Sequence, residues 1–181
     1  MLEIDVAMTQ EGWDEENQVF IEPEFLKLRL EHSLLSVSKW ESKWKKPFLT
    51  KKDKSEEEIM DYVKFMTLNP DISPDVYNRL SRKNVQDIKD YISDPMTATT
   101  FSEGEAARNS REIVTNEVIY HWMVTLNIPF ECQEWHLNRL LTLVKVCNVK
   151  NTPPKKRSKG DIMRRNHALN KARRNQLNSR G

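Results

Sequence analysis

The spacing of apolar residues changes after residue 32 from a strand period to a helix period. Residues 2–8 (LEIDVAM) and 25–32 (FLKLRLEH) alternate apolar and polar side chains, as half-buried strands do. Val19–Ile21 offers a further short strand, and residues 11–17 are interpreted as a loop. The sequence therefore predicts a small N-terminal β element within residues 1–32.

Helical spacing then governs residues 33–149, which are predicted to form a helical core. In the run that begins at Ser33, Trp40 and Trp44 are four residues apart and share one helix face, and Pro47 is expected to end that helix. Ser55 and Glu58 have the spacing of a capping box, in which the serine accepts an amide and the glutamate reaches back. The pattern predicts that a second helix begins at residue 56.

Further helix signals follow along the chain. Ser73-Pro74 favours a short helix, and Asn84 is interpreted as the cap of the helix that follows it. Residues 96–101 (MTATTF) favour a strand. Ser110 is interpreted as the cap of a helix over 111–127, whose second half is apolar nearly all the way round and is therefore expected to be buried on several sides.

A short turn at Asn127-Ile128-Pro129 leads into a predicted helix over 131–148. Connections this short join antiparallel neighbours, so helices 111–127 and 131–148 are expected to form a central hairpin. The predicted fold class is an α-rich α+β fold, in which a small N-terminal β element precedes a helical core with a central helix hairpin and a basic C-terminal helix or tail.

Charge divides the chain in two. Residues 150–181 carry 11 Lys and Arg and one acid, a net charge of +10, whereas residues 1–149 carry 18 basic and 26 acidic residues, a net charge of −8. Residues 1–150 are therefore predicted to form one globular domain and 151–181 a basic tail, with a linker over 151–157. A tail this polar is either solvated or bound to an acidic protein, another copy included, or to nucleic acid. Its candidate polyanion-binding residues are Lys155, Lys156, Arg157, Lys159, Arg164, Arg165, Lys171, Arg173 and Arg174.

The stretch ECQEWHLNRLLTLVKVC at 131–147 invites a metal or redox interpretation. In one continuous helix, however, Cys132 and Cys147 would lie roughly 22 Å apart and could not share an ion. Cys132, His136 and His121 could converge, but no fourth ligand is present. Apolar residues cover about two-thirds of this predicted helix, so packed core is the favoured interpretation.

The sequence offers no motif of an enzyme. It lacks glycine-rich phosphate loops and the H-E-x-x-H, G-x-S-x-G and D-x-D-x-D-G patterns, and its acidic runs suit a helix N-terminus or a solvated loop. We therefore expect a non-enzymatic protein without a metal or cofactor. Two cysteines, an acidic N-terminus and the lack of a long apolar run predict a cytoplasmic protein that does not enter a membrane.

Two aromatic stretches could bind a partner. Met60, Tyr62, Phe65 and Met66 could line a protein-binding groove, or they could be an ordinary core face. Trp40 and Trp44 with the neighbouring lysines could stack on nucleic-acid bases, although a core face with lysine stems reaching solvent is the commoner arrangement.

Three stretches and the basic tail resemble small proteins from the tail-gene region of long-tailed bacteriophages, tail assembly chaperones in particular. The stretches are WESKWKKPF at 40–48, DPMTATTF at 94–101 and IPFECQEWHLNRLL at 128–141. The resemblance covers most of the chain but includes no catalytic signature, and the β-rich N-terminus and strongly basic tail depart from some relatives.

The resemblance implies a chaperone that binds the tape measure protein, keeps it soluble and recruits the major tail protein. Such a protein would act in the bacterial cytoplasm and be absent from the mature virion. Two alternatives stay open: a nucleic-acid-binding accessory protein that acts through the basic tail, and a structural tail or neck component of the virion.

Overall fold

The computed structural model describes residues 1–9, 12–14, 19–50, 53–101, 113–151 and 159–177. The chain divides into two compact units, residues 1–148 and residues 149–181. The linker predicted at 151–157 lies outside the described residues except for Asn151.

Two antiparallel strands form the N-terminal sheet. β1 (Leu2–Ala7) pairs with β4 (Phe25–Leu30), with Leu2 opposite Leu30 and Ala7 opposite Phe25. Alternate side chains point into the core, as the sequence predicted, because successive residues of a strand face opposite sides. The buried ones are Ile4, Val6, Leu28 and Leu30.

A second pair of strands lies between them in sequence. β2 (Gly12–Asp14) pairs with β3 (Val19–Ile21) in antiparallel fashion. The predicted strand at 19–21 is confirmed, but the interpretation of 11–17 as a loop is wrong for residues 12–14. The composition of this short strand, a glycine, a tryptophan and an aspartate, does not predict it; its pairing with β3 defines it.

The outer edge of β4 is covered by the segment that follows the second helix. The Glu31 amide donates to the Met66 carbonyl and the Leu68 amide donates to the Arg29 carbonyl, both at 2.9 Å. The Asn69 side chain completes this edge, since its Oδ1 accepts from the Arg29 amide at 2.7 Å and its Nδ2 donates to the Lys27 carbonyl at 3.1 Å.

Helices make up most of the rest of the described chain, which confirms the α-rich α+β prediction. Their bounds in the first unit are α1 Leu34–Trp44, α2 Glu56–Met66, α3 Asp75–Asn78, α4 Arg82–Ser93, α5 Asn116–Thr125, a 3₁₀-helix over Phe130–Glu134, and α6 Leu137–Asn151, whose last three residues belong to the second unit. The second unit also holds α7, Lys159–Leu177.

Side chains cap three of these helices. Ser33 Oγ accepts from the Ser36 amide at the start of α1, and the Ser55–Glu58 capping box at the start of α2 is present as predicted. The cap of α4 was wrongly predicted to be Asn84. Ser81 is the N-cap, and Asn84 is the third helical residue, whose Oδ1 accepts from the Ser81 amide at 3.0 Å. Asn84 thus takes the place that Glu or Gln holds in the usual capping box.

Several predicted boundaries differ from the structure. α1 ends at Trp44, before Pro47, because Lys45 adopts a left-handed conformation (φ 53°) and its amide donates to the Glu41 carbonyl. Residues 113–115 are not helical, so α5 begins later than predicted, while Ser110 lies outside the described residues. No strand forms at 96–101.

The predicted helix over 131–148 is also divided. Its first part is the 3₁₀-helix, Trp135 and His136 follow in non-helical conformations, and α6 begins only at Leu137. His136 forms a bridge with Ser33, and the Leu137 amide donates to the His32 carbonyl at 2.7 Å. These contacts with the segment between β4 and α1 hold the chain extended where the apolar pattern alone predicts helix.

The core lies between the sheet and the helices around it. α1 packs on α2, and α4 packs on β1. α5 contributes Ile119 and Met123 and is not buried on several sides as predicted, because the Val124 side chain is 58% exposed. One side of α5 therefore faces solvent.

Candidate protein-binding groove

An apolar groove of about 370 Å³ opens on the surface of the first unit between α5 and α6. Its lining residues come from the segment after α1, from α5 and the short segment before it, and from α6. They are Leu49, Thr50, Val114, Trp122, Leu141, Val144, Lys145 and Asn148.

The helix period explains why α6 lines the groove. Leu137, Leu140 and Val144 are buried in the core. Leu141, Lys145 and Asn148 follow at spacings of four and three, so they lie together on the adjoining face. The apolar face of α6 is therefore wider than its contact with the core. Part of that face remains open and lines the groove.

Trp122 of α5 lines the opposite side of the groove, next to the part of α5 that is buried. Ile119 and Met123 are fully buried, whereas Trp122, next to Met123 in sequence, is half-buried and lines the groove. The sequence signal for this wall was the apolar stretch VIYHWMVTL, which is broader than the single buried face that the structure uses.

The groove is chemically suited to apolar side chains. None of its described lining residues is acidic, and its polar groups are Thr50, Lys145 and Asn148. Leu49, 39% exposed, leaves an apolar rim open to solvent. Sites of this volume with apolar walls and few polar groups bury apolar ligands or anchor side chains.

The four residues of the groove predicted on α2 all lie in or against the core. Tyr62 and Met66 lie in the core, 4% and 0% exposed, and Met60 and Phe65 are half-buried against it. This face of α2 packs inward; the Tyr62 ring lies 4.2 Å from the Phe48 ring. The core alternative is therefore the one that the structure shows for Tyr62 and Met66.

The basic-tail residues divide between described and undescribed parts of the chain. Lys155, Lys156 and Arg157 lie outside the described residues. The side chains of the remaining six are exposed on α7; they are Lys159, Arg164, Arg165, Lys171, Arg173 and Arg174.

Trp40 and Trp44 share one face of α1, as predicted, but have different surroundings. Trp40 is fully buried and its Nε1 donates to the Glu58 carbonyl at 2.8 Å, so it cannot stack on a base. Trp44 is half-buried, and Lys43 and Lys46 lie over its ring at 5.5 Å.

The cysteine and histidine residues of 121–136 do not gather. Cys132 is buried in the 3₁₀-helix, where burial raises the pKa of its thiol, and His136 is buried beyond it, whereas His121 is exposed on α5. Across the described part of the chain, no three His, Cys, Asp or Glu side chains converge as metal ligands would.

A buried aromatic and histidine cluster was missed by the sequence interpretation. His32 Nδ1 is hydrogen-bonded to the Tyr62 hydroxyl, and the His32 and His136 rings lie 4.9 Å apart. His136 Nε2 donates to the Tyr91 carbonyl at 2.9 Å, and the Tyr91 hydroxyl donates to Glu31 at 2.6 Å. These residues come from the segment between β4 and α1, from α2, from α4 and from the segment before α6, so only the tertiary fold brings them together.

Burial sets the protonation of this cluster. Desolvation, with the nearby His136, lowers the pKa of His32 to about 3, so its ring is neutral at pH 7. Desolvation and the charge of Glu31 raise the pKa of Tyr62 well above its ordinary value. These residues line neither the apolar groove nor the cavity beside Glu41 described below, and we interpret them as a packing device.

Glu41 is a buried acid whose role the sequence analysis did not predict. It is 7% exposed, and its Oε1 accepts from the Phe48 amide at 2.7 Å. A cavity of about 350 Å³ lies beside it, lined by both acids and lysines: Glu41, Glu117, Lys45 and Lys46 are among its residues. Since charges of both signs face this cavity, it has no preference for an anion.

Comparison with known proteins gives no relative: no protein-family model, curated protein or solved structure matches the chain. Within the described ranges, no helix is both long and apolar enough to cross a membrane.

Proposed function

We propose that this chain is a non-enzymatic tail assembly chaperone of a long-tailed bacteriophage. It binds a helical segment of the tape measure protein in the groove between α5 and α6. The observation that carries the proposal is the open, apolar groove of about 370 Å³, which is lined by Trp122 of α5 and by four residues of α6.

The groove supports binding of a helix because an amphipathic helix can place its apolar anchors between two others. Anchors three or four residues apart would meet Trp122 on one wall and Leu141 on the other. Lys145 and Asn148 at the rim can bond polar groups that flank those anchors. A tape measure protein is long and helical, so it offers many such segments, as the resemblance implies.

Recruitment of the major tail protein belongs to the same proposal. The chaperone would hold the tape measure protein in the bacterial cytoplasm, bring the major tail protein to it, and leave before the virion is complete. A structural tail or neck component would instead stay in the particle. Mass spectrometry of purified virions distinguishes the two, because a chaperone is absent from them.

The test is co-expression with the tape measure protein, followed by a pull-down and a measurement of soluble client. Leu49→Glu and Leu141→Glu place a charge in the groove. Each should weaken client binding by about 10- to 100-fold, the equivalent of an apolar side chain that is no longer buried.

Matched controls come from exposed apolar residues away from the groove. Val124→Glu alters the same helix α5 at a side chain that is 58% exposed, and Leu68→Glu alters one that is 52% exposed. Both should bind client as the wild type does. Equal binding by groove and control variants, with all four folded by circular dichroism, contradicts the proposal.

A further inference from the structure

α7 is a polar helix with positive charge on all its sides. It spans 19 residues, Lys159–Leu177, and is about 28 Å long at 1.5 Å rise per residue. The sequence of this span has six Lys and Arg and one acid, Asp161. The six basic side chains are exposed.

The helix period spreads these charges around the axis. At about 100° per residue, Arg165 and Arg173 centre on one side of α7, and Lys171 and Arg174 centre about 170° away on the other. A flat partner surface can contact only one of these sides. A partner that satisfies both must surround the helix with negative charge.

The apolar residues of α7 do not form a separate face. Ile162, Leu169 and Leu177 are 45%, 44% and 77% exposed. Arg173 lies within about 20° of Ile162 around the axis, so a charge interrupts this stripe. A helix that lies in a membrane interface needs a continuous apolar face opposite its charges, and α7 lacks one.

The major groove of B-form DNA provides negative charge on both sides of an inserted helix. It is about 12 Å wide, which admits an α-helix of about 10–12 Å diameter, and its two walls carry the phosphates of both strands. The major groove of A-form RNA is too narrow for this. Charge and shape together therefore favour duplex DNA over RNA and over a protein surface.

We propose that α7 binds double-stranded DNA by lying in the major groove, with Arg165 and Arg173 directed to the phosphates of one strand and Lys171 and Arg174 to those of the other. Binding is independent of sequence, because these long basic side chains neutralise phosphates and none is required to contact a base. This proposal does not depend on the chaperone function, since it involves α7 alone.

The experiment measures binding of the full chain to a fluorescent 20-base-pair duplex by anisotropy over a range of salt concentrations. If all six basic residues of α7 neutralise phosphates, log K should fall with log salt at a slope of about −5. No binding at low salt, or a slope near zero, overturns the proposal.

Two double variants separate groove insertion from contact by one face. The first is Arg165→Gln with Arg173→Gln, and the second is Lys171→Gln with Arg174→Gln; both retain good helix formers. Each should reduce the salt slope by about 2, because each removes two phosphate contacts. A reduction in only one of them shows that a single face of α7 binds and overturns insertion into a groove.

Three controls complete the design. Lys171→Arg with Arg174→Lys keeps the charge and should keep the slope. Leu169→Ala should leave DNA binding unchanged, and a large loss would show that the apolar stripe, not the charge, makes the contact. An RNA duplex of the same sequence should bind more weakly, and equal affinity contradicts major-groove insertion.

A second copy of the chain is the competing occupant, because residues 1–149 carry net negative charge. Sedimentation of the wild type and both double variants tests it. If the wild type forms oligomers that both double variants lose, and the wild type does not bind DNA, α7 mediates self-association and the proposal is overturned.

Discussion

Glu41 caps the N-terminus of α5 through Asn116. Its Oε2 accepts a hydrogen bond from the Asn116 backbone amide at 2.8 Å and another from the Asn116 side-chain amide at 2.6 Å. Thr115, the N-cap residue, makes no side-chain capping bond of its own. Glu41, 75 positions earlier in the sequence, therefore accepts the helix-terminal amide that a local Ser or Asp usually caps. This bond also joins α1 to α5.

Glu41→Ala should lower the free energy of unfolding by about 3 kcal/mol, because three buried amide donors lose their acceptor. Those donors are the Phe48 amide and both Asn116 groups. Urea unfolding followed by circular dichroism measures the change. Glu117→Ala, an exposed acid in the first turn of the same helix, should cost less than about 1 kcal/mol. Equal losses of unfolding free energy in the two variants would mean that a nearby negative charge, and not the hydrogen bonds of Glu41, stabilises the start of α5.

The two tryptophans of α1 should respond differently to loss of the indole N–H. Trp40→Phe removes a buried hydrogen bond to the Glu58 carbonyl and leaves a space in the core, so it should cost about 2 kcal/mol or more. Trp44→Phe should change stability by less than about 1 kcal/mol, because Trp44 Nε1 is buried without a hydrogen-bond partner among the described residues. Thermal unfolding of both variants checks this order, and a reversed order would contradict the packing of α1 on α2.

His32 should make the fold sensitive to acid. Its pKa is about 3 in the folded chain, below the ordinary value of 6.5, so the unfolded chain takes up the proton first as pH falls. The stabilisation from the neutral ring is complete above about pH 6.5 and declines down to about pH 3, by at most about 1.4 kcal/mol per pH unit. The free energy of unfolding measured from pH 7 to pH 4 tests this slope.

His32→Gln should be less stable at pH 7, since it loses the bond to Tyr62, but should show a shallower decline below pH 6.5. His121→Gln is the matched control, because it makes the same substitution at an exposed histidine on α5, outside the cluster. An unchanged slope in His32→Gln would contradict the assignment of the acid sensitivity to His32.

Ser81→Ala should cost about 1 kcal/mol, because the Asn84 amide at the start of α4 loses its capping acceptor. Asn84→Ala should cost more. It removes the return bond to the Ser81 amide and also the bond from Asn84 Nδ2 to the Asp5 carbonyl, which joins α4 to β1. Chemical denaturation of the two single variants gives the comparison, and a larger loss in Ser81→Ala would contradict this double role.

Periodicity predicted the elements whose own residues define them. β1, β4, α1 and α2 were recovered because apolar alternation or helical spacing and a local cap occur within a few residues. The same reasoning misplaced the cap of α4 by three residues, since both Ser81 and Asn84 have capping side chains and only the backbone conformation decides between them.

The missed features depend on partners far apart in sequence. α6 begins at Leu137 because His136 and Leu137 bond to residues 32 and 33, about a hundred positions away, and no local pattern contains that contact. The sequence predicts a groove on α2, but Tyr62 and Met66 lie in the core. The observed groove lies where α5 and α6 have more apolar surface than their core contacts cover. The sequence shows this excess of apolar residues but does not show which of them stay exposed.

The Asn69 side chain bonds one backbone amide and one backbone carbonyl of β4, as the peptide group of a neighbouring strand would. Another chain that approached this side would find the hydrogen-bonding groups at Lys27 and Arg29 already occupied. Growth of the sheet into intermolecular fibrils is therefore blocked at β4 by this side-chain amide together with the backbone of Met66 and Leu68. Asn69→Asp, whose side chain has no N–H to donate, would leave the Lys27 carbonyl free to bond a strand of another chain.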